Sequence, residues 1–132
     1  MAAVLLDTHI WAWSLCGAAM PPGALAALQQ SEAVYVSPIS FYEIGQKVRL
    51  GKWPEMEPYI ASLPDILAQQ GALTAILTPE ICLKATLLDW DHRDPFDRLL
   101  AATCLVNTIA LVSVDAAFDG CTDNGRTITR LF

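Results

Sequence analysis

The segment Val4-Leu5-Leu6-Asp7 is a short apolar run that ends in an acid, and it predicts a buried β-strand over residues 3–6. Apolar and β-branched residues predict further strands over 33–36, 73–77, 109–114 and 127–131. Helical patterns lie between these strands, over 9–15, from Pro21-Pro22 through Leu28, from Ser37-Pro38 to Gly51, over 59–70, from Pro79 towards Trp90, and over 96–106. Strands that alternate with helices favour an α/β fold around a mainly parallel sheet.

The composition is typical of one compact domain that covers residues 1–132. The chain is 54% hydrophobic and 17% charged, which favours a packed core over disorder. No apolar run approaches the ~20 residues that a membrane span needs. The few residues before Asp7 include no basic residue and do not form a signal peptide, so we expect a cytoplasmic protein. The four cysteines show no paired spacing and are predicted to be buried free thiols: Cys16, Cys82, Cys104 and Cys121.

The net charge of −6 argues against a simple nucleic-acid binder, which is normally basic. Acids gathered around a bound cation would weaken that objection. The basic residues are also clustered, since Lys47, Arg49 and Lys52 lie close together and Arg93 and Arg98 bracket an acidic segment. Such clusters can contact phosphates, although a solvated surface is their more common role.

Three acids occupy positions that an α/β topology brings towards one edge of the sheet, and the position of a fourth depends on how its helix packs. Asp7 and Asp115 directly follow the first and fourth predicted strands, and Glu43 lies in the second turn of the helix after the second strand. Asp97 lies in the first turn of the helix before the fourth strand. The carboxyl ends of parallel strands form the ligand-binding edge of such sheets. Carboxylates that converge there repel one another unless a cation binds between them, and their hard oxygens favour Mg²⁺ or Mn²⁺.

Each acid also has a purely structural interpretation. Asp7 and Asp115 can cap the helix or turn that follows them, and Asp97 fits the negatively charged first turn of a helix capped by Asp94. Glu43 can form an ion pair with Lys47 one turn later. Taken singly, each acid is more often structural than catalytic. Their convergence on one edge is the feature that these interpretations leave unexplained.

Four segments resemble the VapC-type toxins of the PIN-domain family, in order and in spacing, along essentially the whole chain. They are Val4-Leu5-Leu6-Asp7-Thr8-His9, Ser37-Pro38-Ile39-Ser40-Phe41-Tyr42-Glu43-Ile44, His92-Arg93-Asp94-Pro95-Phe96-Asp97-Arg98-Leu99-Leu100-Ala101-Ala102, and Leu111-Val112-Ser113-Val114-Asp115. The resemblance implies a three-layer α/β/α sandwich and an endoribonuclease that uses Mg²⁺ or Mn²⁺. It implies a toxin of a toxin–antitoxin pair, neutralised by a cognate antitoxin and forming a homodimer or a hetero-oligomer with it.

The resemblance also assigns roles to individual residues. It makes Asp7, Glu43, Asp97 and Asp115 the catalytic, metal-binding set, with Asp7 and Asp97 as the main ligands. Around this set, Asp94 is a possible accessory acid and Ser113 a contact for a ligand or a phosphate. Three more side chains are candidates for RNA contact, namely Lys47, Arg98 and the loop residue Trp53. His9 and His92 have no ligand spacing, and we expect local packing or a loop position for them.

Other functions remain to be weighed. A phosphatase of the haloacid dehalogenase type requires Asp-x-Asp, which Asp7-Thr8-His9 lacks, and a receiver-like module requires an acceptor aspartate where the third strand ends in Leu77-Thr78-Pro79. A catalytically inactive PIN-like module that binds RNA or protein is the remaining alternative. Several apolar residues form either an antitoxin-binding groove or part of the core: Leu25, Leu28, Tyr59, Ile60, Leu63 and Leu67.

Overall fold

The computed structural model describes residues 3–17 and 20–132. In chain order the strands are β1 Val4–Leu6, β2 Val34–Val36, β3 Leu73–Thr74, β4 Ala110–Val112, β5 Thr122–Asp123, β6 Arg126–Thr127 and β7 Arg130–Leu131. The central sheet has five strands in the order β3-β2-β1-β4-β7, and all of its pairings are parallel. Strands β5 and β6 form a separate antiparallel hairpin. The expected mainly parallel sheet is confirmed.

The helices lie on both faces of this sheet. They are α1 Thr8–Cys16, α2 Pro22–Gln30, α3 Pro38–Arg49, α4 Leu63–Gln69, α5 Pro79–Leu87 and α6 Pro95–Asn107, with 3₁₀ helices at Pro54–Ser62 and Ala116–Gly120. Side chains alternate along β1, so Leu5 packs with α5 and α6 in one core, while Val4 and Leu6 pack with α1 and α3 in the other. This two-sided burial gives the three-layer α/β/α architecture.

Proline and short polar side chains start the helices where the sequence predicts. Ser37 accepts a hydrogen bond from the Ile39 amide at 3.1 Å, and Pro38 occupies the first turn of α3. Gly51 follows that helix with φ 73°, a conformation that glycine adopts without strain. Asp94 caps α6 through the Phe96 amide at 2.8 Å. These caps hold α3 and α6 at the carboxyl edge of the sheet.

Three segments differ from the sequence predictions. The third strand is only Leu73–Thr74, because it is an edge strand with exposed side chains. The expected helix over 59–70 divides at Leu63, where α4 begins. The residues before Leu63 form a 3₁₀ helix that contains Pro58 and begins at Pro54, directly after the loop residue Trp53. Proline removes a backbone donor, which shortens regular α-helix. The hairpin at Thr122–Thr127 turns through Asn124 and Gly125, both with positive φ, and this Asn-Gly pair was a signal that the sequence analysis missed.

The prediction for two of the cysteines needs correction, and the structure distinguishes the two interpretations of the apolar set. Cys104 and Cys121 are buried free thiols, and burial raises the pKa of both, but Cys16 and Cys82 are exposed.

In the apolar set, Leu63 and Leu67 belong to the core, whereas Leu25 is 45% exposed. Leu28, Tyr59 and Ile60 are partly buried against the same core, so the core interpretation fits every member of the set except Leu25. Among the described residues, no helix is long and apolar enough to cross a membrane.

Candidate metal centre

Asp7 directly follows β1 at its carboxyl end. Its backbone amide donates a hydrogen bond to the Val112 carbonyl of the neighbouring strand β4 at 3.0 Å. It occupies the N-cap position of α1 but makes no side-chain capping hydrogen bond. Its Oδ2 instead accepts a hydrogen bond from the buried Ser113 hydroxyl at 2.6 Å. Burial raises the pKa of Asp7, and repulsion from Glu43 adds to the rise, while the bond from Ser113 opposes it. The capping interpretation therefore does not account for this acid.

Ser113 joins two of the acids. Its hydroxyl oxygen also accepts the Asp115 amide at 3.0 Å. Asp115 itself is exposed, and its Oδ1 caps the 3₁₀ helix Ala116–Gly120 through the Ala117 amide at 2.9 Å. The prediction that Asp115 caps the following turn is therefore confirmed for its Oδ1 atom. Ser113 is fully buried, and its hydroxyl is bonded to the Asp7 carboxylate and to the Asp115 backbone, which fits a positioning role better than the predicted contact with a ligand.

Glu43 is only 2% exposed although it carries a carboxylate. Its Oε2 forms an ion pair with Lys47 Nζ at 2.6 Å, one turn along α3. Its Oε1 is buried and has no hydrogen-bond partner among the described residues. Nearby, the buried hydroxyls of Thr8 and Ser40 lie 2.8 Å apart and connect α1 to α3. A buried carboxylate oxygen without a partner is costly unless a cation or a donor fills the place.

Asp97 stands in the first turn of α6, where its Oδ2 lies 2.7 Å from His92 Nε2. Burial raises the pKa of Asp97 to about 6, and repulsion from Asp94 and Asp7 contributes, while the His92 bond lowers it. One ligand atom from each of His92, Asp94 and Asp97 lies within 4.8 Å of the others. Asp94 uses Oδ1 to cap α6, so this possible accessory acid has a structural role.

The predicted acids lie towards one edge of the sheet but do not form one tight group, because among the described residues only His92, Asp94 and Asp97 place ligand atoms within 4.8 Å of one another. Asp7 is close enough to Glu43 and Asp97 for mutual repulsion to raise carboxyl pKa values, and Ser113 connects it to Asp115. Asp7 and Glu43 are buried, Asp97 is partly buried and Asp115 is exposed. Oxygen donors, mutual repulsion and an unpartnered Oε1 fit a hard divalent cation such as Mg²⁺ or Mn²⁺.

Arg98 has a different role from the predicted substrate contact. Its guanidinium donates to the backbone carbonyl oxygens of five residues, Ala85, Thr86, Leu88, Trp90 and His92, at 2.8–3.4 Å. A guanidinium has five N–H donors, so this set uses its full capacity. Arg98 therefore holds the segment after α5 against α6. The prediction that Arg98 contacts the substrate is wrong, because its N–H donors are occupied by backbone carbonyls.

The other predicted RNA contacts lie on the α3 side of the centre. Lys47 Nζ, paired with Glu43, also lies 5.4 Å from the centre of the Trp53 ring. The exposed His9 stacks on Trp53 with ring centres 4.9 Å apart, so its packing prediction fits. Trp11, two residues after His9, is fully buried in the core.

His92 and Trp90 were missed as parts of the centre. His92 bonds Asp97 and stacks on Trp90 with ring centres 4.6 Å apart. The only sequence signal was their position two residues apart before Asp94-Pro95, and a loop position does not predict which way a side chain points.

The fold and the centre together define a three-layer α/β/α protein with a carboxylate cluster at the carboxyl edge of its parallel sheet. The chain belongs to the PIN-domain family, since the model of the PIN domain matches residues 4–121. No curated protein sequence matches the chain at a significant level.

Three solved structures share the fold. VapBC2 from Rickettsia felis, bound to a DNA fragment from its promoter, has 14% identity and a TM-score of 0.64 over 98% of this chain and 99% of that chain. A toxin–antitoxin complex from Klebsiella pneumoniae has 14% identity and a TM-score of 0.59 over 86% and 87%. FitAcB from Neisseria gonorrhoeae has 20% identity and a TM-score of 0.56 over 86% and 88%. At these identities the likeness concerns the fold.

Proposed function

We propose that the chain is a single PIN-like nuclease domain that hydrolyses RNA phosphodiester bonds with the help of Mg²⁺ or Mn²⁺. The observation that carries this proposal is the pair of buried acids, Asp7 and Glu43, at one edge of the sheet. Asp7 does not cap its helix, and Glu43 keeps one buried oxygen without a partner. A structural role leaves both features unexplained, whereas a cation bound between the carboxylates explains both.

Asp7, Glu43 and Asp97 would hold the cation, and Asp115 would bind it or a water next to it. When bound, such a cation acts as a Lewis acid towards the phosphate and lowers the pKa of a coordinated water. Within the chain, Ser113 fixes the orientation of Asp7 through the 2.6 Å bond and ties the Asp115 backbone to it. Positioning and charge neutralisation are therefore the main contributions of these side chains.

RNA would approach over the α3 side of the centre. Lys47 lies between Glu43 and Trp53, within reach of a phosphate next to the cation. The stacked rings of His9 and Trp53 offer a surface on which an unpaired base can stack. Arg49 and Lys52 extend the basic character at the end of α3 and offset the net charge of −6 locally.

We further propose that the protein is the toxin of a toxin–antitoxin pair and acts in the cytoplasm, as a homodimer or a hetero-oligomer with its antitoxin. Support comes from solved structures that share this fold, among them VapBC2 and a toxin–antitoxin complex. An antitoxin that covers the acidic edge would block access of RNA to the carboxylates.

The test is cleavage of total tRNA and mixed RNA by antitoxin-free protein, with Mg²⁺ or Mn²⁺ and then with EDTA. We expect metal-dependent cutting that Asp7→Asn reduces on the order of 10³-fold. Glu57→Gln is the matched control, because Glu57 is an exposed acid outside the centre, and it should cut like the wild type. Folded protein that cuts no RNA with either metal would favour the inactive binding module instead.

A further inference from the structure

We propose that His92, backed by Trp90, is a positioning residue that holds Asp97 in the orientation needed to bind the divalent cation. This inference rests on the proposed function only in that Asp97 is a cation ligand. His92 itself would not touch the cation, because the Nε2 atom that faces the cluster is already committed to Asp97 Oδ2 at 2.7 Å. With Asp97 ionised, Nε2–H donates to the carboxylate in a charge-assisted hydrogen bond.

The His92 ring is held from behind. It stacks on Trp90 with ring centres 4.6 Å apart and an interplanar angle of 29°. Trp90 packs in turn against Phe118, which is 1% exposed, with ring centres 5.5 Å apart. The stack therefore runs from the core to the partly buried Asp97, and stacking on Trp90 favours the ring orientation in which Nε2 meets the carboxylate.

Trp90 connects the same stack to Asp115. Its Nε1–H donates to the Ala117 carbonyl at 3.1 Å, while the Ala117 amide donates to Asp115 Oδ1 at 2.9 Å. One side chain thus reaches the carboxylate on α6 through His92 and the carboxylate after β4 through Ala117. This arrangement keeps a fixed spacing between two acids that belong to different elements of the fold.

Arg98 fixes the backbone from which both rings project. One of its terminal nitrogens, Nη1, donates to the Trp90 carbonyl at 2.8 Å and to the His92 carbonyl at 2.9 Å. Arg98 follows Asp97 directly on α6, so the helix that carries the acid also anchors the loop that carries its partner. The four side chains Trp90, His92, Asp97 and Arg98 form one connected brace.

The test uses two substitutions that separate the ring from the donor. His92→Phe keeps an aromatic ring for Trp90 but removes the N–H, whereas His92→Gln keeps an N–H near the Nε2 position but removes the ring. We would measure Mn²⁺ affinity of the antitoxin-free protein by titration, along with thermal unfolding in EDTA. We expect His92→Phe to weaken Mn²⁺ binding about 10-fold or more, the range for lost partners of metal ligands. We expect His92→Gln to stay within about 3-fold of the wild type.

Three results would overturn the proposal. Mn²⁺ affinity of His92→Phe equal to that of the wild type would show that the bond to Asp97 does not matter for the cation. Equal weakening in both variants, in step with their unfolding temperatures, would make His92 a packing residue. Electron spin-echo envelope modulation of the Mn²⁺ complex detects a bound nitrogen. If it shows one in the wild type and none in His92→Phe, His92 would be a direct ligand. Wild-type protein that binds no Mn²⁺ would instead contradict the proposed function.

Discussion

Glu43 and Asp97 are two carboxylates at the same edge of the sheet, and each is paired with one basic side chain that rests on a tryptophan. On the α3 side, Glu43 Oε2 bonds Lys47 at 2.6 Å, and Lys47 lies over Trp53. On the α6 side, Asp97 Oδ2 bonds His92 at 2.7 Å. Lysine brings a full charge on a flexible chain, whereas histidine brings one directed donor on a rigid ring.

Burial distinguishes the two sides further. The Glu43 side chain is 3% exposed and that of Asp97 is 16% exposed. The partner of Glu43 comes from its own helix, while the partner of Asp97 comes from a loop that Arg98 holds in place. The α3 side is therefore a local arrangement that one helix makes by itself, and the α6 side depends on tertiary packing.

The largest expected effect separates the two acids by their roles. Asp97→Asn should reduce metal-dependent RNA cleavage on the order of 10³-fold, and Glu43→Gln on the order of 10²-fold, because the resemblance makes Asp97 a main ligand while one oxygen of Glu43 is already paired with Lys47. Single-turnover cleavage at saturating Mn²⁺ is the measurement. A Glu43→Gln loss equal to or greater than that of Asp97→Asn would reverse this ranking.

How far the sequence predicts each side follows from the same difference. The Glu43–Lys47 pair was predicted because a helix fixes the spacing of residues four apart, and Asp7 and Asp115 were placed because strands end at a common edge. The contacts of His92 and Trp90 were not predicted, since a loop path decides where they point. The sequence predicted an RNA contact for Arg98, and that prediction was wrong. Its carbonyl partners come together only in the folded chain, so the sequence gives no sign of them.

Arg98→Met should be the most destabilising change on the α6 side. It removes the donors for five backbone carbonyls, and a loss of about 3 kcal/mol in the free energy of unfolding is expected. Chemical denaturation followed by circular dichroism measures it. Arg93→Met is the matched control, because Arg93 is exposed in the same segment, and it should cost less than about 0.5 kcal/mol. Similar costs for the two variants would show that the Arg98 bonds contribute little.

Metal-free protein should lose stability as the pH rises. The pKa of Asp97 is raised from 3.8 to about 6 on folding, chiefly by burial, and that of Asp7 is raised as well. The folded state therefore binds protons more tightly than the unfolded state. Its stabilisation is complete below about pH 4 and is lost as the pH passes through 6, by about 3 kcal/mol for Asp97.

Thermal unfolding in EDTA at pH 4.5 to 7.5 would measure this loss, with Asp97→Asn as the comparison (both pH values chosen about the shifted pKa). The variant should show a flatter pH dependence, and replacing EDTA by excess Mg²⁺ should restore stability to the wild type at the upper pH. A wild-type curve as flat as that of the variant would mean that the Asp97 carboxylate is not disfavoured by its surroundings.

The smallest expected effect concerns Lys47 and RNA binding in the cleavage-deficient Asp7→Asn background. If Lys47 contacts a phosphate besides pairing with Glu43, Lys47→Met should make the plot of log affinity against log salt less steep by about 0.7. This is the value for the loss of one phosphate contact to a single strand. Lys47→Arg keeps the charge and should keep the slope. Fluorescence anisotropy at several salt concentrations gives these slopes. An unchanged slope in Lys47→Met would limit this lysine to holding Glu43, and the α3 side would then resemble the α6 side, where His92 serves its carboxylate alone.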